Sequence, residues 1–310
     1  MSHRTQYTEQ QSDDEISRDV KGVSEEPAVS DNDISEEDTG AENSEHPVKD
    51  IVAEEAEDTE TLIEWDEEWE YASFSVIHSD PVTYYRSGSS ERKNFVVAVN
   101  AGHGTSGGSS VRTQCNPDGS PKVTGGSTAE GSTTATAVSG GTSFLDGTSE
   151  ASITLKLAVT LKDLLLENGY DVLMIREGED AQIDNVARTV YANNNADCHI
   201  ALHYDSTETD KGFFYIGVPD IAEYKSMEPV ASHWQEHDVL GQALVAGEEQ
   251  AGVGIYGNGF MGVDLTQISY STIPSVDVEV GDRASDYSQE SLDKLAEGML
   301  NGLNIYTEQQ

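Results

Sequence analysis

Basic side chains are scarce in this chain. Its 310 residues carry 17 Lys and Arg against 58 Asp and Glu, a formal net charge of −41. No dense Lys/Arg cluster exists, which excludes a nucleic-acid binder working through phosphate contacts. No apolar run approaches the roughly 18–20 residues of a membrane span. The two cysteines, Cys115 and Cys198, are too few for a disulfide framework or a Cys-rich zinc module. Free thiols are the expectation, and a bridge pinning the segment around Cys115 is the alternative for an exported protein. The start, Met1-Ser2-His3-Arg4, lacks the apolar core of a signal peptide. Taken literally the chain is not exported. The alternative is an export signal outside this sequence, with an acidic spacer as a stalk between membrane and domain.

The charge is concentrated early. Residues 1–70 hold 25 acidic and 4 basic side chains and show no sustained 3.6 or 2.0 period. Such a segment cannot bury enough apolar surface to fold alone, so 1–70 reads as an acidic disordered leader or stalk. Its end differs: Leu62, Ile63, Trp65 and Trp69, followed by Tyr71, Phe74 and Val76, set apolar groups among the acids. Residues 71–93 are therefore expected to be a linker docked on the domain, which spans 94–310 and is long enough for one good core.

Asn94–Asn100 is a short β-branched run ending in Ala101-Gly102-His103-Gly104, the pattern of a buried strand entering a tight turn. About forty residues rich in Gly, Ser and Thr follow, from 105 to 147. A stretch of that length inside a domain is a functional lid or a loose segment. The loose loop is the first expectation; a groove wall or a cover over a site are the others. A helix is expected from Thr148 or Ser149 as N-cap, with Glu150 in the first turn, a stripe through Ile153, Leu157, Ala158, Leu161, Leu164 and Leu165, and Gly169 at its end. Strands are expected at 170–175, 198–203, 212–218 and 275–280, and helices at 185–195, 239–250 and 291–306. That alternation predicts an α/β single domain with a central, largely parallel sheet flanked by helices on both faces. No repeat of 20–50 residues is present.

Ligands of open α/β sheets sit at the carboxyl ends of strands. His103, Glu150, His203 and Glu279 lie at such ends or at a helix start. Two imidazoles and a carboxylate are a common zinc set, with a fourth position left to water, and a second carboxylate can act as base on that water. The residue types permit a zinc hydrolase without compelling one, because the candidates form no local motif. Glu150 would also serve a helix dipole. His203 competes with His199 on the same strand face, and Glu279 with Asp277.

The ordered pieces resemble zinc-dependent N-acetylmuramoyl-L-alanine amidases of the family 3 type. Val97-Ala98-Val99-Asn100-Ala101-Gly102-His103-Gly104 looks like their opening strand and turn. The likeness continues through Ser149-Glu150 with its Leu-rich helix, Gly169-Tyr170-Asp171-Val172 to Ile175-Arg176, Arg188 with Tyr191-Ala192-Asn193, and Ala196-Asp197-Cys198-His199-Ile200-Ala201-Leu202-His203. It closes on Pro274-Ser275-Val276-Asp277-Val278-Glu279-Val280-Gly281, spanning roughly Phe95 to Tyr306. The resemblance implies one Zn2+ per chain held by His103, Glu150 and His203, with Glu279 as catalytic carboxylate. It favours His203 over His199 and Glu279 over Asp277. It also implies a peptidoglycan or muropeptide substrate, hydrolysis of the amide between N-acetylmuramic acid and L-alanine, and an extracellular or wall-associated location. Three features depart from the family pattern: Asn100-Ala101 stands where Asp-Pro is usual, Tyr204-Asp205 follows the second His, and the 105–147 insert is long. Two other readings therefore stand beside the amidase: a zinc peptidase acting within stem peptides, and a non-catalytic wall-fragment binding module on the same fold.

Overall fold

A computed structural model describes residues 57–310. In chain order the strands are β1 (Thr59–Ile63), β2 (Val82–Arg86), β3 (Val96–Ala101), β4 (Arg112–Gln114), β5 (Thr134–Thr136), β6 (Asp171–Met174), β7 (Cys198–Asp205), β8 (Phe213–Gly217), β9 (Ile255–Gly262) and β10 (Ser275–Asp282). The helices are α1 (Glu150–Glu167), α2 (Asn185–Asn195), α3 (Ala222–Lys225), α4 (Val230–Ala251), α5 (Thr266–Tyr270) and α6 (Gln289–Thr307).

Eight strands form one sheet in the order β1-β2-β6-β3-β7-β10-β8-β9. Its centre, β6-β3-β7-β10, is parallel, and β1, β2 and β8 join antiparallel. The central strands are buried on both faces, which is why they read as continuous apolar runs. Helices α1, α4 and α6 cover one face through Leu157, Leu161, Leu244, Leu292 and Met299. Helix α2 covers the other through Ala187, Tyr191 and Ala192. This is the expected α/β architecture.

Helix α1 starts where its sequence says it should. The Ser149 side chain accepts from the Ser152 N–H, and Gly169 follows at φ 81°. Ile153, Leu157, Ala158, Leu161 and Leu165 are fully buried; each large one contributes about 1.5–3 kcal/mol.

The boundary drawn at residue 70 falls inside the folded unit. Most of the expected leader, 1–56, lies outside the described residues, but Thr59–Ile63 pairs with β2 as an edge strand. Trp65 and Trp69 pack edge-on against Tyr191 of α2, at 5.3 and 5.5 Å between ring centroids. Acidic composition hid this segment, because a few aromatic groups supply its contacts. The 105–147 segment is likewise not loose. It holds the β4–β5 hairpin and is fastened at Asp264, which accepts from Lys122 Nζ (2.8 Å) and the backbone N–H groups of Val123 (2.6 Å) and Thr124 (3.2 Å). Cys115 and Cys198 are both buried and unbridged, so the thiol expectation holds.

One buried acid belongs to the core alone. Glu248 of α4 is fully buried, neither carboxyl oxygen has a hydrogen-bond partner among the described residues, and it lies against Gly298 of α6. Burial pushes its pKa well above the usual range, with Lys294 opposing. The fold favours the neutral form. Its stabilising share is therefore complete below the ordinary carboxyl pKa of about 4.3 and is lost as pH rises, by up to about 1.4 kcal/mol per pH unit. Glu248→Gln is expected to flatten the fall in Tm between about pH 5 and pH 8. Parallel curves for the two proteins would show that this carboxyl does not titrate against folding.

Candidate metal centre

His103 ends the turn after β3, Glu150 is the first residue of α1, and His203 and Glu279 are register partners on β7 and β10. All four sit at the carboxyl edge of the parallel strands, where α/β sheets place ligands. His103 adopts φ 64°, rare for a side chain with a Cβ. Its glycine neighbours make the turn possible. A Cβ on Gly102 would strike the His203 ring, and one on Gly104, at φ 73°, would meet the Arg176 guanidinium at 2.7 Å.

Two buried arginines hold that turn. Arg188 donates to the carbonyls of Ala101 (2.8 Å) and His103 (2.6 Å) and to Asn100 Oδ1 (2.9 Å). Arg176 donates to the carbonyls of Ala101 (3.2 Å), Gly102 (3.0 Å) and Ala151 (2.8 Å), tying the turn to the first turn of α1. All their hydrogen bonds go to carbonyl, hydroxyl or amide oxygens. Burial without a carboxylate partner lowers their pKa values, to about 10 for Arg176 and about 9 for Arg188.

The ligand atoms converge. His103 Nε2 lies 2.8 Å from Glu150 Oε1, His203 Nδ1 lies 3.1 Å from the same oxygen, and the two ring nitrogens are 3.0 Å apart. Donors at about 2.0–2.1 Å from a tetrahedral zinc lie about 3.3 Å from one another, so this spacing fits a small cation. The tautomers agree. His103 Nδ1 faces the Ser139 carbonyl at 3.0 Å. A carbonyl only accepts, so a proton sits on Nδ1, which leaves Nε2 as the ring nitrogen for a metal. His203 Nε2 faces Asp277 Oδ2 at 3.5 Å, which leaves its Nδ1 for the centre. Glu150 is fixed through both oxygens, Oε2 accepting from Thr142 N–H (2.7 Å) and Oε1 from Tyr204 N–H (3.1 Å).

Charge points the same way. Burial would raise the Glu150 pKa, but hydrogen bonds from His103 and His203 outweigh it and hold the carboxyl well below the usual range. Burial would lower His203, yet Asp277, Glu150 and Glu279 outweigh that and push it up to about 10. Burial holds Glu279 well above the usual range, with His203 opposing and Asp277 reinforcing, and its Oε2 is buried without a partner among the described residues. Three carboxyl groups around two imidazoles make a site short of positive charge.

The three expected ligands meet, and Glu279 stands beside them. His199 does not join. It is wholly buried, contacts Asn100 Nδ2 (3.2 Å) and Ser275 Oγ (3.4 Å), and is driven down to about 3 by burial and by Arg188. Sequence reading missed the roles of Ser139, Thr142 and Asp277. The first two lie in a Gly/Ser/Thr stretch without period, where only the Gly140-Gly141 pair hinted at close packing.

Residues 97–304 match the family described as N-acetylmuramoyl-L-alanine amidase. Among solved structures, the N-acetylmuramyl-L-alanine amidase Ami1 from Mycobacterium smegmatis is similar at 20% identity and TM-score 0.55, over 70% of this chain and 98% of that one. Ami1 from Mycobacterium abscessus is similar at 20% identity and TM-score 0.53, over 69% and 99%. The N-acetylmuramoyl-L-alanine amidase from Clostridium difficile 630 is similar at 16% identity and TM-score 0.50, over 70% and 98%. At these identities the likeness shows the fold. A comparison with curated proteins gives no match. The family match runs from the strand before His103 to the closing helix, well over half the sequence, and the chain belongs to the N-acetylmuramoyl-L-alanine amidase family.

Proposed function

We propose that this protein is a zinc-dependent hydrolase of the amide between N-acetylmuramic acid and L-alanine in peptidoglycan. The observation that carries this reading is the convergence of His103 Nε2, Glu150 Oε1 and His203 Nδ1 next to a carboxyl on Glu279 that is buried and, among the described residues, unpaired. Family membership supports the substrate class.

Zinc, when bound, supplies a water acidified to about pKa 7 and a Lewis acid for the carbonyl oxygen. The chain's residues do the rest. Glu279 accepts the proton of the attacking water and returns it to the alanine nitrogen as the carbon–nitrogen bond breaks. The products are a muramic lactyl carboxylate and a peptide with a free amine. Asp277 orients His203, while Arg188 and Arg176 hold the His103 turn, so the ligand set needs little rearrangement. A wall substrate places the protein outside the cytoplasm. Among the described residues no helix is long and apolar enough to cross a membrane.

Mass spectrometry of peptidoglycan and soluble muropeptides, digested with added zinc or with chelator, tests the reading. Chelator-sensitive release of intact stem peptides carrying a free L-alanine amine is expected. Shortened peptides still attached to muramic acid would make it a peptidase. A folded, zinc-loaded protein that yields no product would make it a binding module.

A further inference from the structure

We infer that the 105–147 segment is a built part of the metal centre, a wall that positions His103 and Glu150. It is neither a loose loop nor a cover. This rests on the zinc reading of the site above.

The contacts are specific. The Ser139 carbonyl at 3.0 Å and its hydroxyl at 3.1 Å both face His103 Nδ1. Three residues on, the Thr142 N–H donates to Glu150 Oε2 at 2.7 Å. One ligand thus has its tautomer set, and another its carboxylate plane set, by the same four-residue stretch. Gly141 lies between these contacts at φ 75°, and a Cβ there would stand 2.7 Å from His103 Cδ2 and 2.9 Å from Glu150 Oε2. The backbone passes the ligands too closely for any side chain.

The wall is anchored on both sides. Upstream, Ala137 N–H donates to Val111 O (2.9 Å), and Asn185 N–H, at the start of α2, donates to Ala137 O (3.1 Å). Downstream, Leu145 N–H donates to Arg283 O (3.1 Å), and the Arg283 guanidinium donates to Ser143 O (2.7 Å). Ala137, Val138 and Phe144 are buried, and the Phe144 ring packs on Tyr204, beside His203, at 4.9 Å. Lifting this segment would remove the acceptor that orients His103, so an open form of the wall would bind metal poorly.

Adjacent glycines make the test. Gly140 has open space where a Cβ would go and no positive φ, so Gly140→Ala serves as control for Gly141→Ala. The readouts are zinc affinity by chelator competition and the visible spectrum of the cobalt-loaded proteins. Loss of an outer partner costs about 10–100-fold in metal affinity. Gly141→Ala is expected to weaken zinc by at least about tenfold and alter the cobalt bands, with Gly140→Ala close to the native chain. A folded Gly141→Ala protein that binds zinc like the native one would overturn the inference and leave the zinc reading intact. A native chain without zinc affinity would overturn the zinc reading, and this inference with it. Should Gly141→Ala fail to fold, nitrogen-15 NMR of the native chain decides: a proton on His103 Nδ1 with and without zinc is expected, and an Nδ1 without a proton in either state overturns the positioning role.

Discussion

Glu279→Gln is expected to bind zinc about as tightly as the native chain and to release stem peptides about 10²–10⁴-fold more slowly, the range a positioned general base contributes. The substitution keeps shape and volume while removing the group that takes the proton. Glu279 hydrogen-bonds to none of the three ligands, and its Oε2 is buried without a partner among the described residues. An amide there therefore leaves the ligand set as it was. Asp277→Asn is the informative comparison. Asp277 faces His203 Nε2 at 3.5 Å, so this change is expected to act first on zinc affinity, by about 10–100-fold. Measuring kcat at saturating zinc separates the two carboxyls. Near-native kcat for Glu279→Gln, or a larger kcat loss for Asp277→Asn, would reassign the base.

Zinc loading is the second large effect. The three side chains of the proposed site come from the turn after β3, the start of α1 and the end of β7, so one ion held by them would join three elements far apart in sequence. At a thousandfold excess over Kd, binding only the folded state stabilises by about 4 kcal/mol. For a domain of this size each kcal/mol moves Tm by about 2–4 °C, which gives about 8–16 °C. Calorimetry with and without zinc measures the shift, and chelator reverses it. The imidazole nitrogens must be free of protons to bind, and, against burial, the carboxyls of Asp277, Glu150 and Glu279 raise His203 to about 10 in the metal-free site, so the shift shrinks as pH falls below about 10. His203→Ala is expected to abolish it. An unchanged Tm on adding zinc to protein stripped by chelator would show that the three side chains hold no ion.

How much of this was legible in the sequence differs from residue to residue. His103 stood out because glycines on both sides have no packing explanation, and the structure places that turn against His203 and Arg176. Glu150 was ambiguous, since an acid in a first helical turn serves the dipole as well as a metal. The pairs His199/His203 and Asp277/Glu279 could not be separated by pattern, because residues two or four apart on a strand share a face. Only depth distinguishes the histidines: His199 is wholly buried among polar groups, while the His203 side chain keeps 21% of its surface. The central strands announced themselves as apolar runs. Strand β9 did not, since Gly257 and Gly259 interrupt it at positive φ. The wall around Ser139 was hidden for a different reason: it is held mostly by backbone hydrogen bonds, which leave no periodic trace in side-chain chemistry.

The aromatic strap at the start of the folded unit matters for anyone dividing this chain. Trp65 and Trp69 roof Tyr191 on α2, and the same helix carries Arg188, which grips the His103 turn. A catalytic fragment begun at the compositional boundary near residue 71 would lose β1 and that roof together. Strand β2 would become a bare edge next to a freshly uncovered aromatic patch, the combination that invites self-association. The shortest self-sufficient enzyme therefore begins no later than Thr59, inside the stretch whose acidity looks most dispensable.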